Sequence, residues 1–272
     1  MAEFLSLAVA VDRYIKDGDV VAMEGFTHLI PFAGGHEVIR QKKRNLTLIR
    51  MTPDLIYDQL IGAGCASKLI FSWGGNPGVG SLHRLRDAVE KSWPAPLELF
   101  EHSHAAMACA YEAGAAGLPL AVLRGYVGSD LPKVNEQIRF IECPFTGERL
   151  AAVPSVRADV AVIHAQRADR QGNVLVEGII GVQKEAVLGA KNAIVTVEEI
   201  VDDLNAGVNA CVIPSWAISA IAVAKGGSKP SYALGYYDRD NAFYKSWDAI
   251  ARDRETFTQW LEDNVFNQPE EA

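Results

Sequence analysis

The chain has 272 residues, 49% of them apolar and 22% charged, which is the composition of a globular protein and not of a disordered one. A net charge of -8 without a lysine- or arginine-rich stripe argues against a nucleic-acid partner. No run reaches the roughly 18 apolar residues of a membrane span, no signal-peptide core follows Met1, and Cys65, Cys109, Cys143 and Cys211 lack metal-site spacing, so free thiols in a reducing cytoplasm are expected.

Apolar positions at helical spacing predict a helix over 5–16, stopped at Lys16-Asp17-Gly18, and a strand over 19–24. A helix over 31–40 follows, whose charged end Gln41-Lys42-Lys43-Arg44 is the densest basic run, then a strand at 46–49. Pro53 opens a helix that Gly62 and Gly64 close, and 68–72 is a strand. Helices over 81–92 and 102–116 alternate with strands at 97–100 and 121–123. This alternation implies an α/β fold with an open, mostly parallel sheet flanked by helices. The second half is more mixed. Two short strands surround Pro144-Phe145-Thr146-Gly147, Asp159 to Ala165 is a buried strand, and 173–176 is an edge or hairpin strand. A helix over 184–190 and a strand over 193–197 follow. From Pro230 the chain is rich in tyrosine, tryptophan and aspartate, with a final helix over 253–264.

Two glycine loops stand at the C-terminal ends of predicted strands: Gly25-Phe26-Thr27-His28 and Gly74-Gly75-Asn76-Pro77-Gly78-Val79-Gly80. Ligands in open α/β sheets bind at that edge, and glycines let backbone N–H groups approach them closely. Tight turns alone would read the same way. Neither loop has a full dinucleotide fingerprint, and there is no P-loop lysine.

Leu99-Phe100-Glu101-His102-Ser103-His104 places a carboxylate and two imidazoles after a strand. Glu101 could act as acid or base if buried, and Ser103 could cap a helix. His164 ends an apolar strand and reads first as a core histidine. Asp202-Asp203 could bind a cation but reads first as a solvated loop or a subunit contact, and Tyr236-Tyr237-Asp238-Arg239-Asp240-Asn241 as an interface or part of an active site.

Asp17-Gly18, Val20-Val21-Ala22, Gly25-Phe26 and Pro31 together resemble the N-terminal signature of A subunits of the family I coenzyme A transferases. Glu24 stands where a first glycine of Gly-Gly-Phe is usual, and Leu29 where a glycine often precedes the proline. Those departures resemble the glutaconate-type branch, as do Val162 to Gln166, Ile194 to Ile200, and Pro230-Ser231-Tyr232. Residues 50–60 and 71–84 are similar to members of that branch acting on a C6 3-oxo dicarboxylate.

The resemblance implies one subunit domain over 1–272 with an aromatic and polar extension over 230–272. It implies a CoA thioester as substrate, no permanently bound cofactor, no metal, and a partner B subunit in a hetero-oligomer, 2+2 in stoichiometry. The family's nucleophile is a glutamate of the B subunit in a Ser-Glu-Asn-Gly context, and that tetrapeptide does not occur here. The chain would therefore be half of an enzyme, taking CoA from succinyl-CoA to the dicarboxylate. Implied substrate contacts are Gly25, Phe26, Thr27, His28, Gly74, Gly75, Asn76, Gly78 and Ser81, with His28 ahead of Arg50 for the distal carboxylate. Glu101 is an auxiliary group. The alternatives within the fold are a thioester hydrolase that opens a cyclic β-diketone through Glu101, and another dicarboxylate transferase.

Overall fold

The computed structural model describes residues 2–77 and 79–267. Its first half runs β1 (Glu3–Phe4), α1 (Leu7–Tyr14), β2 (Val20–Glu24), α2 (Phe32–Arg40), β3 (Leu46–Arg50), α3 (Leu55–Gly62), β4 (Ala66–Phe71), α4 (His83–Lys91), β5 (Glu98–Glu101) and α5 (His104–Ala115). Next come β6 (Leu120–Leu123), the short α6 (Leu131–Val134), β7 (Arg139–Glu142) and β8 (Arg149–Pro154). The remainder is β9 (Val160–Asp169), β10 (Val174–Val176), α7 (Gln183–Gly189), β11 (Asn192–Val201), β12 (Cys211–Ile213), β13 (Ala220–Val223), α8 (Asn241–Arg252) and α9 (Arg254–Leu261).

Eight strands form a parallel sheet in the order β1-β13-β11-β9-β2-β3-β4-β5, and β10 and β12 extend β9 as an antiparallel ribbon. β6, β8 and β7 make a separate antiparallel sheet. The parallel strands alternate between two cores. Val21 and Met23 of β2 and Val160 and Val162 of β9 face the cluster that packs α1, α2, α3, α8 and α9. Ala22, Ala161 and Ile163 face α5, α7 and β8. Both faces are covered, which is why β9 is apolar along most of its length. Side-chain oxygens of Ser6, Ser103, Asp240 and Asp253 cap α1, α5, α8 and α9. Trp247 of α8 is fully buried and donates its indole N–H to Asp58 at 3.0 Å. Among the described residues no helix is long and apolar enough to cross a membrane.

The strand order places the functional edge. From β2 the chain crosses through α2 to β3 on one side, and from β9 it passes through α7 to β11 on the other. The connections leave in opposite directions, on opposite faces of the sheet. Between the C-terminal ends of β2 and β9 they open the crevice that a topological switch point creates in such sheets.

Candidate active site

The loop after β2 forms one wall of this crevice. A Cβ on Gly25 would stand 2.6 Å from the Leu29 carbonyl oxygen, so only glycine fits. Thr27 and Leu29 are left-handed, at φ 58° and 52°. Phe26 is partly exposed, whereas His28 is fully buried. Its Nδ1 lies 3.3 Å from the Ile179 carbonyl, and Nε2 accepts from the Leu234 N–H at 3.0 Å, which assigns the proton to Nδ1. Burial pushes its pKa down and keeps the ring neutral. His28 thus holds three segments together and has no nitrogen left over for a ligand.

A buried charge cluster lies beneath the loop. Arg50, at the end of β3, donates from Nη1 to Asp54 at 2.8 Å and from Nη2 to the Gly25 carbonyl at 2.7 Å. Burial opposes its charge, but Asp54 and Glu24 outweigh it and hold the guanidinium protonated. Glu24 accepts from the Tyr111 hydroxyl at 2.6 Å and the Met51 N–H at 3.0 Å, and burial pushes its carboxyl up. The Gly25–Phe26 peptide is trans, so the Phe26 N–H points away from Arg50. Phe26 makes no hydrogen bond among the described residues.

The second glycine loop follows β4. The Gly75 N–H donates to the Pro53 carbonyl, and Ser72 and Trp73 bond to the Met51 carbonyl, so both loops are tied to residues 50–53. Gly74 is exposed and Ser81 half-buried. Asn76 is buried and donates from Nδ2 to the Tyr244 carbonyl at 2.7 Å, while its Oδ1 has no partner. Gly78 lies outside the described residues.

Residues 228–241 run as a strap over this edge. Ser231 donates to the Thr27 carbonyl at 2.9 Å, Leu29 N–H to the Tyr232 carbonyl at 3.0 Å, and Arg239 Nη2 to the Pro77 carbonyl at 3.3 Å. The strap is anchored on β11. The Glu198 carboxylate accepts from the Tyr237 hydroxyl at 2.6 Å and the Gly226 N–H at 2.8 Å, and pairs with His164 Nε2 at 2.8 Å. Burial works to raise the Glu198 pKa, but these partners outweigh it and hold the carboxyl low.

Sequence reasoning missed this anchor, in which His164 Nδ1 also meets the Thr196 hydroxyl at 2.8 Å, although His164, Thr196 and Glu198 all interrupt apolar stretches of their strands. It also missed the turn Glu177-Gly178-Ile179-Ile180-Gly181, the other wall of the crevice. A Cβ on Gly178 would meet the His28 ring at 2.9 Å, and one on Gly181 would meet Phe26 at 3.0 Å. The paired glycines around two isoleucines were the available signal.

Glu101 ends the edge strand β5, in register with Phe71, and its side chain is exposed. His102 turns inward between the Tyr126 hydroxyl, Asn135 and Gln137, and burial lowers its pKa. His104 is exposed at the start of α5. The three side chains that adjoin in sequence therefore do not converge.

The coenzyme A transferase family model matches residues 4–224. The chain is 71% identical over 265 residues to the A subunit of the 3-oxoadipate CoA-transferase of Pseudomonas knackmussii, covering 97% of this chain and 94% of that protein. It is 31% identical to the A subunit of the glutaconate CoA-transferase of Acidaminococcus fermentans, over 98% of this chain and 89% of that one. The crystal structure of glutaconate coenzyme A-transferase from the same organism superposes with a TM-score of 0.91 at 30% identity, covering 99% of this chain and 90% of that chain. With the parallel sheet, the switch-point crevice and these matches together, the chain belongs to the coenzyme A transferase family.

Proposed function

We propose that the chain is the A subunit of a CoA-transferase that moves CoA from succinyl-CoA to 3-oxoadipate, yielding 3-oxoadipyl-CoA and succinate. The 71% identity to the A subunit of a 3-oxoadipate CoA-transferase carries the choice of substrate. The edge itself supports the division of labour. Among the described residues it offers the Phe26 N–H as a donor but no carboxylate poised to attack: Glu24 and Glu198 are buried and hydrogen-bonded, Glu177 pairs with Arg167, and Glu101 stands on the outer strand. As in the family the chain belongs to, we assign the nucleophile to a glutamate of a B subunit, in a hetero-oligomer we place at 2+2. The four free thiols fit a cytoplasmic enzyme.

In the first half-reaction the carboxylate of the B subunit bonds to the thioester carbon, and the carbonyl π pair moves onto its oxygen. When that pair returns, the C–S bond breaks and CoA leaves as the thiolate. The thiolate then attacks the enzyme acyl carbon, forming a glutamyl-CoA thioester and releasing succinate; the acceptor acid repeats the sequence in reverse. The Phe26 N–H, aimed by Arg50, holds the acyl oxygen while it is negative. Gly25 and Thr27 shape that loop, and His28 fixes it. We assign the acyl part of the substrate to Gly74, Gly75, Asn76 and Ser81 at the second loop.

The test is purification of the chain alone and with its B subunit, followed by CoA-transfer assay and mass spectrometry after incubation with succinyl-CoA. Activity and a CoA adduct on the B subunit should require both chains. Full turnover by the isolated chain would refute the split site.

A further inference from the structure

The proposed substrates carry a second carboxylate, and a desolvated carboxylate needs a cation. The structure commits both side chains to which the sequence assigned this role. Both His28 nitrogens face backbone partners, and Arg50 is buried between Asp54 and the Gly25 carbonyl.

We propose that Arg239 binds the distal carboxylate and sets the preference for dicarboxylates. This assignment rests on the transferase reading above. Arg239 lies on the strap, partly exposed, and makes no ion pair among the described residues. Its guanidinium stacks on the Tyr244 ring, 3.9 Å from the centroid, so its plane is fixed before any ligand arrives. Nη2 reaches the Pro77 carbonyl in the second glycine loop at 3.3 Å, while the buried Nε has no acceptor. The carboxylate that feels its charge, Asp54, is already held by Arg50 at 2.8 Å. Tyr244 also accepts the Asn76 side-chain N–H through its carbonyl, so the cation and the loop share one support. A planar donor fork at the rim of the glycine loop, with donors to spare, matches a carboxylate. The succinyl group and the incoming acid would use it in turn.

The test compares acids and thioesters of matched length on the reconstituted two-subunit complex. Donors are succinyl-CoA and butyryl-CoA; acceptors are 3-oxoadipate and 3-oxohexanoate. Arg239→Gln should lower kcat/KM for each dicarboxylate by about 10- to 100-fold, mainly through KM, the loss expected for a charge-assisted pair. The monocarboxylate reactions should lose much less than the dicarboxylate ones, so the preference collapses. Arg239→Lys, which keeps the charge, should restore part of it. Equal losses for both classes would mean that Arg239 only supports the loop and would overturn the assignment. If Arg239→Gln does not assemble with the B subunit, Arg239→Lys alone decides, because a binding role requires a selective loss. Failure of the wild type to use 3-oxoadipate would count against the acceptor, not against Arg239, because the succinyl-CoA to butyryl-CoA ratio is read separately.

Discussion

The Tyr237 hydroxyl and the Glu198 carboxylate meet at 2.6 Å and join the strap to the centre of the parallel sheet. The same hydroxyl accepts the Ser228 N–H at 3.0 Å. Tyr237→Phe removes a bond to a charged group and strands a backbone donor, which should lower stability by about 2 kcal/mol. Urea unfolding of the isolated chain measures this. The variant should also raise KM in the complex, because the strap carries Arg239.

Buried groups make the fold sensitive to acid before ordinary carboxylates titrate. Burial lowers the pKa values of His28, His36 and His102, that of His36 to about 4. The unfolded chain then binds protons that these rings refuse in the folded chain, so their contribution falls as pH drops from about 6.5 toward 4, while Asp58, whose carboxyl burial raises to about 6, takes up a proton in the folded chain and opposes that loss. His36 alone should contribute about 2 to 3 kcal/mol of this loss. The depressed carboxyl of Glu198 adds a further loss below its ordinary range. Denaturant midpoints taken at steps from pH 7.5 to 4 measure the net change, and His36→Asn should lose less stability between those limits than the wild type. Equal losses in His36→Asn and the wild type would contradict the neutral state of the His36 ring.

The strands of the parallel sheet were largely legible because each is an apolar run between breakers, and the observed bounds of β2, β3, β4 and β9 follow the predicted ones within a few residues. β13 was not, since four residues, Ala220–Val223, leave no room for a period to show. α8 was passed over for another reason. Tyr244, Trp247 and Ala251 lie on one helical stripe, but the polar residues between them mask its period. The glycine loops were placed correctly at the sheet edge. The strap, the His164–Glu198 anchor and the inward turn of His28 depend on partners more than 30 residues away, beyond any local pattern.

The role of the Phe26 N–H can be isolated by comparing Phe26→Ala, which keeps the donor, with Phe26→Pro, which deletes it. Formation of the adduct on the B subunit should be about 100-fold slower in the proline variant than in the alanine variant, the usual effect of losing one such donor. Equal rates would remove this N–H from the mechanism. Gly25→Ala should damage both rate and stability, because its Cβ meets backbone that cannot yield.

Glu101→Gln should leave turnover and the covalent adduct on the B subunit intact, because its exposed side chain stands on the outer strand. Mass spectrometry after succinyl-CoA treatment reads this directly. An adduct on Glu101 itself, or loss of all water-dependent turnover without any adduct on the partner, would return the hydrolase chemistry to the front.

The strap also sets an order of events during synthesis. The Thr27 carbonyl and His28 Nε2 find their partners 204 and 206 residues further along the chain. A nascent chain that has emerged as far as β13 has every parallel strand, yet its first glycine loop still lacks these bonds. The reactive rim is thus among the last parts of the molecule to set, and a prematurely terminated chain would carry the scaffold of a transferase subunit without a formed surface to offer its partner.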